Sequence, residues 1–298
     1  MLQFFIQLLN GLSLGSIYAL IALGYTMIYG IVKLINFAHG DVLMIGAMTG
    51  FFVLSAMGGA TPLSLIVALL ASMAVCALFF IIVEKACYKP LRNAPRINAL
   101  ITAIGVSILI ENGTRVIPFI GPNFRLFPTI AGINDSLKDG VGISKMQLIV
   151  IGISIGLMLV LTYIVNMTKM GKAMRAVSHD LDASLLMGID INRIISFTFA
   201  SGAALAAAAG IMFASLYPQV DPYMGIMPGL KAFVAAVLGG IGSIPGAMLG
   251  GVLIGLAETL TKGYINTQLA DAIVFGILIV ILVIRPAGLL GKNIKEKV

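Results

Sequence analysis

The chain has 298 residues, of which 59% are hydrophobic and only 10% charged, with a formal charge of +7 and a mean hydropathy of +1.07. Too little polar surface remains to clad a soluble globule of this length. The Lys and Arg residues are scattered at the edges of apolar runs and not gathered on one face, so no nucleic-acid partner is expected. Apolar runs recur at about 20 residues, the length a helix needs to cross roughly 30 Å of hydrocarbon; a membrane barrel would show shorter alternating segments. The fold class is therefore an all-α polytopic membrane protein.

In chain order, charge-free runs bounded by turn residues predict spans over 8–31, 42–57, 63–83, 97–118, 146–167 and 194–216, a broken pair over 231–260, and a last span over 268–284. With the breaks included, this amounts to about eight to ten transmembrane or re-entrant helices. The first run, MLQFFIQLLNGLSLGSIYALIALGYTMIYGIV, carries no side-chain charge before Lys33. It lacks the basic start of a cleaved signal and reads as a retained span. Trp is absent, which leaves Tyr18, Tyr25, Tyr29, Tyr163 and Tyr217 as candidate interface anchors. Cys76 falls in an apolar run and Cys87 in a basic loop, so neither a disulfide nor a metal site is expected. No linker divides the chain, and residues 1–298 read as a single transmembrane domain with loops too short to fold alone.

Charge orients the spans. The loop 84–96, EKACYKPLRNAPR, sets Lys85, Lys89, Arg92 and Arg96 against Glu84 and is cytoplasmic by the positive-inside rule. The loop 168–193 opens with Lys169, Lys172 and Arg175, and the tail RPAGLLGKNIKEKV is basic too. Both share the cytoplasmic side if 231–260 crosses an even number of times or dips in and returns. The loop 119–145 then faces outward despite Arg125, Lys138 and Lys145, with Asp135 and Asp139 offsetting them. Five spans before residue 168 put the N-terminus outside; one more crossing within 1–57 would put it inside, and the sequence leaves both open.

Two breaks interrupt the hydrocarbon. KLINFAHGD, residues 33–41, places Lys33, Asn36, His39, Gly40 and Asp41 between apolar runs. It reads as an interfacial loop or, by the cost of titratable groups at membrane depth, as a discontinuous helix near a transport route. LGGIGSIPGAMLGG, residues 238–251, lies in a charge-free run, and its flanks KAFVAAVL and AMLGGVLIGLAE are short for full spans. A broken or re-entrant helix fits, with close helix packing at Gly246, Gly250 and Gly251 as the other reading. Interrupted segments in both halves are the pattern of transporters built from repeats, which makes two repeated halves a candidate architecture. Glu111 with Arg115, and Glu258 with Lys262, stand four apart and are expected to pair locally.

Catalytic patterns are missing. The two histidines, His39 and His179, form no HExxH, and no Gly-x-Ser-x-Gly occurs. Gly171-Lys172 is followed by Ala173 and Gly291-Lys292 by Asn293, so there is no P-loop. If transport is driven by ATP, another subunit supplies it.

Read as one helix, residues 172–188 align Ala173, Val177, Leu181, Leu185 and Gly188 on one face, with Lys172, Arg175, His179 and Asp182 elsewhere. Asp180, Asp182 and Asp190 would oppose anionic lipid, so this amphipathic segment fits a protein partner better than a membrane surface. The run Asp182-Ala183-Ser184-Leu185-Leu186-Met187-Gly188 resembles a degenerate form of the Glu-Ala-Ala-x3-Gly loop of ABC importer permeases, which in that family docks into a cleft on the ATPase subunit. The chain as a whole resembles the branched-chain amino acid permease family (LivH type) through ALGYTMIYGIVKLINFAHGDVLMIGA, GKAMRAVSHDLDASLLMGI, GGIGSIPGAMLGG and RPAGLLG, in the family's order between residues 19 and 291.

That resemblance implies a membrane permease subunit of an ATP-driven importer for leucine, isoleucine and valine. It implies no catalytic residue, metal or cofactor on this chain, with ATP and magnesium on two ATP-binding cassette subunits. The other partners it implies are a homologous second permease, an extracytoplasmic substrate-binding protein and membrane lipid. It assigns ATPase coupling to Arg175, Asp182, Ala183 and Gly188, and the translocation pathway to Asn36, His39, Asp41, Gly239, Gly240, Gly242 and Gly246. Similar permeases serve urea and short amides, which stand as the alternative substrates. An ion-coupled secondary transporter with His39 and Asp41 as a relay is the rival from another class.

Overall fold

The computed structural model describes residues 2–92, 94–118, 120–130 and 144–291. Asp135, Lys138 and Asp139 of the predicted outward loop, the basic tail from Lys292 and the side chain of Arg96 lie outside the described residues. The helices are α1 (Leu2–Val32), α2 (His39–Ala56), α3 (Pro62–Val83, prolonged by a π turn and a 3-10 turn to Leu91), α4 (Arg96–Val116), α5 (Lys145–Met167), α6 (Lys169–His179), α7 (Leu181–Leu186), α8 (Ile191–Leu216), α9 (Ile226–Gly239), α10 (Ile244–Tyr264) and α11 (Leu269–Ile284). Seven of them are long and apolar enough to cross a membrane, while α9 and α11 are shorter apolar helices. The only strands among the described residues are β1 (Arg125–Leu126) and β2 (Gln219–Val220), an antiparallel pair.

Helix starts follow from local hydrogen-bond chemistry. Thr61 and Ser64 form a reciprocal capping box at α3, and Ser144 with Gln147 does the same at α5. Thr168, Asp180, Asp190 and Ser243 cap α6, α7, α8 and α10 with side-chain oxygens. Pro245 sits in the first turn of α10, where its missing N–H costs no hydrogen bond.

Contacts sort the loops to two ends of the bundle. At one end Gln147 Nε2 donates to Asn10 Oδ1 at 2.5 Å, the Arg125 guanidinium lies 5.5 Å from the Phe51 ring, and a Cβ on Gly263 would meet the Gln7 side chain. At the other, Arg92 Nη1 donates to Asn192 Oδ1 at 2.6 Å, Gly30 lies beside Gly242, and Leu289 N donates to Leu238 O at 2.8 Å. The second end gathers the loop 84–96, the loop 168–193 and the chain after α11, so the three basic segments share one side, the cytoplasmic side by the positive-inside rule. The helices α1 to α5 alternate in direction, which places the start of α1 at the opposite, outer end. Arg125 and Lys145 are also at that outer end.

The centre of the bundle is α1, buried from Ser13 to Ile28 and flanked by α8, α9 and α10; α2 and α3 pack on α8. Tyr18 and Tyr25, expected as interface anchors, are only 2% and 6% exposed. They sit in the core because α1 is surrounded by protein, whereas Tyr163 on peripheral α5 is exposed. The flank AMLGGVLIGLAE, expected to be short for a span, belongs to the 21-residue helix α10. Gly250, Gly251 and Gly255 do not break it: each lies against the backbone of Ala235, Ala19 or Gly15, so they permit close helix packing. Cys76 and Cys87 are free.

Candidate functional site

At the inner end the predicted single helix over 172–188 is an elbow of two helices. Asp180 is extended (φ −152°, ψ 114°); it ends α6, and its carboxylate accepts from Ala183 N at 3.0 Å to start α7. Gly188 closes α7 in the left-handed region at φ +78°, with Ile189 N donating to Ser184 O at 3.0 Å. Asp190 then caps α8 through Arg193 N at 3.2 Å. Two of the three acids that seem in the sequence to define a surface are thus helix caps, and Asp182 remains exposed with no ion pair among the described residues.

The elbow's apolar stripe also divides differently from the expectation. Met174 and Val177 pack inward, while Leu181, Leu185, Leu186 and Met187 project outward, Leu186 with 89% of its surface exposed. Ala183 is exposed beside them. Arg175 turns back: its guanidinium donates to the carbonyls of Val165 and Asn166, satisfying the end of α5. The elbow is therefore tied to α5 on one side and bare on the other.

The first break is a re-entrant connection. Lys33 turns the chain at φ 57°, and Asn36 Oδ1 accepts from Ala38 N at 3.1 Å and from the Tyr88 hydroxyl at 2.7 Å. The chain then plunges back, so that His39 at the start of α2 lies against Gly24, about two turns inside the end of α1, with its ring 4.8 Å from that of Tyr25. Helix α9 begins beside it; a Cβ on Gly40 would come 2.9 Å from Gly225 O and 3.1 Å from Gly229 Cα. The N-termini of two helices, each a centre of partial positive charge, meet inside the bundle. Asn36, His39 and Asp41 are all buried there. Neither ring nitrogen of His39 makes a well-formed hydrogen bond, although the backbone of Ile21 lies alongside.

Asp41 faces α4. Its Oδ2 accepts from the Ser107 hydroxyl at 2.5 Å, and the Glu111 carboxyl lies within hydrogen-bonding reach. The expected Glu111–Arg115 pair is not formed. Arg115 instead donates to the Tyr223 hydroxyl and stacks 5.2 Å from its ring, because the loop before α9 brings that tyrosine over the outer end of α4.

The second break does not join this cluster. Gly239 ends α9, Gly240 and Gly242 turn the chain at φ 101° and 96°, and Gly246 packs against Gly239 in the first turns of α10. Leu290 N donates to Gly239 O at 2.9 Å, so the segment after α11 covers the hairpin at the inner end. These four glycines form a tight helical hairpin, while Asn36, His39 and Asp41 gather deeper in the bundle.

A charged cluster that spacing alone shows only in part joins α1, α9, α10 and α11. Glu258 Oε1 accepts from Lys231 Nζ at 2.7 Å and from Lys262 Nζ at 2.6 Å, and Oε2 accepts from the Tyr18 hydroxyl at 2.8 Å. Lys231 also pairs with Asp271 at 2.7 Å. The Glu258–Lys262 pair is the one predicted; Lys231 and Tyr18 are 27 and 240 residues away in sequence. A lysine inside an apolar half-helix is the signal that marks this cluster. Among the described residues no cluster of His, Cys, Asp and Glu has the makings of a metal site.

A family model described as branched-chain amino acid transport system / permease component matches residues 7–283. The high-affinity branched-chain amino acid transport system permease protein LivH of Salmonella typhimurium is 42% identical over 307 residues, covering 100% of this chain and 98% of that protein. The corresponding permease protein BraD of Pseudomonas aeruginosa is 43% identical over 304 residues, covering 98% and 97%. The ribose import permease protein RbsC of Haemophilus influenzae is 28% identical over 260 residues, covering 84% and 75%. A likeness that runs the whole length of an all-helical bundle with its basic loops at one end makes this a multi-pass inner-membrane protein, and the chain belongs to the branched-chain amino acid transport system permease family.

Proposed function

We propose that the chain is the permease subunit of an ATP-driven importer of leucine, isoleucine and valine. It works with a homologous second permease, two ATP-binding cassette subunits that carry ATP and magnesium, and an extracytoplasmic binding protein. The observation that carries the ATP-driven part is the bare elbow. At the inner end, α7 holds Leu185, Leu186 and Met187 in water with Asp182 beside them and nothing of this chain over them. Such an apolar knob on a capped, rigid turn is suited to a groove in another protein. The amino-acid cargo is supported by the relatives named for it; the ribose permease shows that the scaffold also serves other solutes. ATP closure of the cassettes would move the elbows and alternate the access of the permease pair.

The test is Leu186→Asp. Leu186 is 89% exposed, so its loss leaves the fold of the chain intact. Burying a Leu side chain contributes about 1.5–3 kcal/mol, hence about 10- to 100-fold in docking. In proteoliposomes holding the whole complex, the variant should assemble poorly with the cassettes and lose ATP hydrolysis stimulated by the loaded binding protein. Full stimulation and uptake by Leu186→Asp would remove the elbow from the coupling path.

A further inference from the structure

Asp41 and Glu111 present two carboxyl groups to each other from α2 and α4, and the Ser107 hydroxyl donates to Asp41 Oδ2 at 2.5 Å. Among the described residues every ion pair lies elsewhere, on Glu84 or around Glu258 and Asp271, and no Lys or Arg pairs with either carboxyl. Negative charge at membrane depth is costly without a counter-charge, and two facing carboxyls repel unless a cation or proton lies between them.

Two independent observations point to a ligand with its own positive charge. Asn36 is only 1% exposed and is held by the hydroxyl of Tyr88, a side chain within range of the Asp41 charge; its amide nitrogen Nδ2 has no partner. It is a spare donor in the same cluster. One helical turn outward from Glu111, the exposed Arg115 guanidinium stands beside Tyr223, so α4 displays a carboxyl and a guanidinium about 6 Å apart. A zwitterion needs both charges at this kind of spacing, whereas an inorganic cation needs only the carboxyls. Helix α4 packs mainly on α2 and the turn after α3, which leaves this face open to a passing solute.

We infer that Asp41, Ser107 and Glu111 form the subsite that holds the primary ammonium group of an amino acid during its passage, with the substrate carboxylate toward Arg115. The inference rests on the amino-acid import reading above. A carboxylate pair accepts the three N–H donors of an ammonium group as charge-assisted hydrogen bonds, and the hydroxyl of Ser107 holds Asp41 in place.

The experiment uses the full complex in proteoliposomes and reads two quantities on each variant: leucine uptake, and ATP hydrolysis stimulated by leucine-loaded binding protein. Asp41→Asn and Glu111→Gln should each lower uptake about 10- to 100-fold, the worth of a charge-assisted hydrogen bond, while stimulated hydrolysis persists. Glu111→Asp should restore most of the uptake. Uptake within about twofold of wild type in both neutral variants would overturn the subsite. So would a parallel loss of uptake and hydrolysis, which would assign the pair to the conformational cycle, or collapse of wild-type uptake when sodium is replaced by choline, which would place an inorganic cation there. Failure of the import reading itself looks different: the wild-type complex would then show no hydrolysis stimulated by leucine-loaded binding protein.

Discussion

Removing the Glu258 carboxylate leaves three donors without an acceptor at once: Lys231 Nζ, Lys262 Nζ and the Tyr18 hydroxyl. The three do not count equally. The Lys262 side chain is 38% exposed, so that pair contributes about 0–1 kcal/mol. Lys231 and Glu258 are 7% and 2% exposed, and breaking a buried pair from one side costs about 3–5 kcal/mol. Asp271 still holds Lys231 at 2.7 Å in Glu258→Ala, which puts the loss at the lower end, about 3 kcal/mol. At about 2–4 °C per kcal/mol for long chains, Tm should fall by about 6–12 °C. The assay is thermal unfolding in lipid nanodiscs at one fixed scan rate, since membrane proteins of this kind unfold irreversibly. The double variant Lys231→Met with Glu258→Leu removes both charges and should recover at least half of the loss, the signature of a coupled pair in a double-mutant cycle. A drop below about 2 °C in the single variant, or plain additivity in the double, would refute the reasoning.

His39 is fully buried with both ring nitrogens unsatisfied, and each buried orphan costs about 1–3 kcal/mol, so His39→Leu should leave Tm unchanged or raise it; a fall of several degrees would show a hydrogen bond that matters. A methyl group on Gly188 would meet nothing within 4 Å, yet the residue stands at φ +78°, so its role is conformational. Gly188→Asn, which tolerates the left-handed region, should keep most uptake, while Gly188→Val should lose most of it at the same membrane yield.

The fold is legible in the residues because each long span is a charge-free run ended by turn chemistry that the structure uses as written: Thr61 before Pro62, Ser144 before Lys145, Ser243 before Pro245. The elbow is not, because apolar spacing carries across a single residue of extended backbone. Only the capping habit of Asp180, three residues before Ala183, distinguishes two short helices from one. Tyr18 and Tyr25 read as interface residues because hydropathy reports that a helix is in the membrane and says nothing of whether lipid or protein surrounds it. The same limit hides Lys231, whose partner lies on another helix and whose pairing no local spacing encodes. The cost of polar groups at membrane depth singles out Asn36, His39 and Asp41, and the structure places them in one buried neighbourhood; the glycines 239–246 carry a similar signal and lie in a separate hairpin.

The half-helix α9 is held at both ends. Near its start, Lys231 binds Glu258 of α10 and Asp271 of α11, and Gly229 packs on Gly40 of α2; at its end, the hairpin with α10 is covered by the backbone after α11. Helix α1 is clasped by α8, α9 and α10 over most of its length. This block has few ways to deform, since its contacts are backbone against backbone at glycine and a small shift would forfeit close packing all along the seam. Helix α4 differs: it rests mainly on α2 and the turn after α3, with one face carrying Ser107, Glu111 and Arg115. Any rearrangement that opens the Asp41 neighbourhood costs least if α4 moves against α2 and the α1–α8–α9–α10 block stays whole. The contact that such a motion must break is the hydrogen bond from Ser107 to Asp41, which makes that bond the seam between the fixed and the movable parts of the chain.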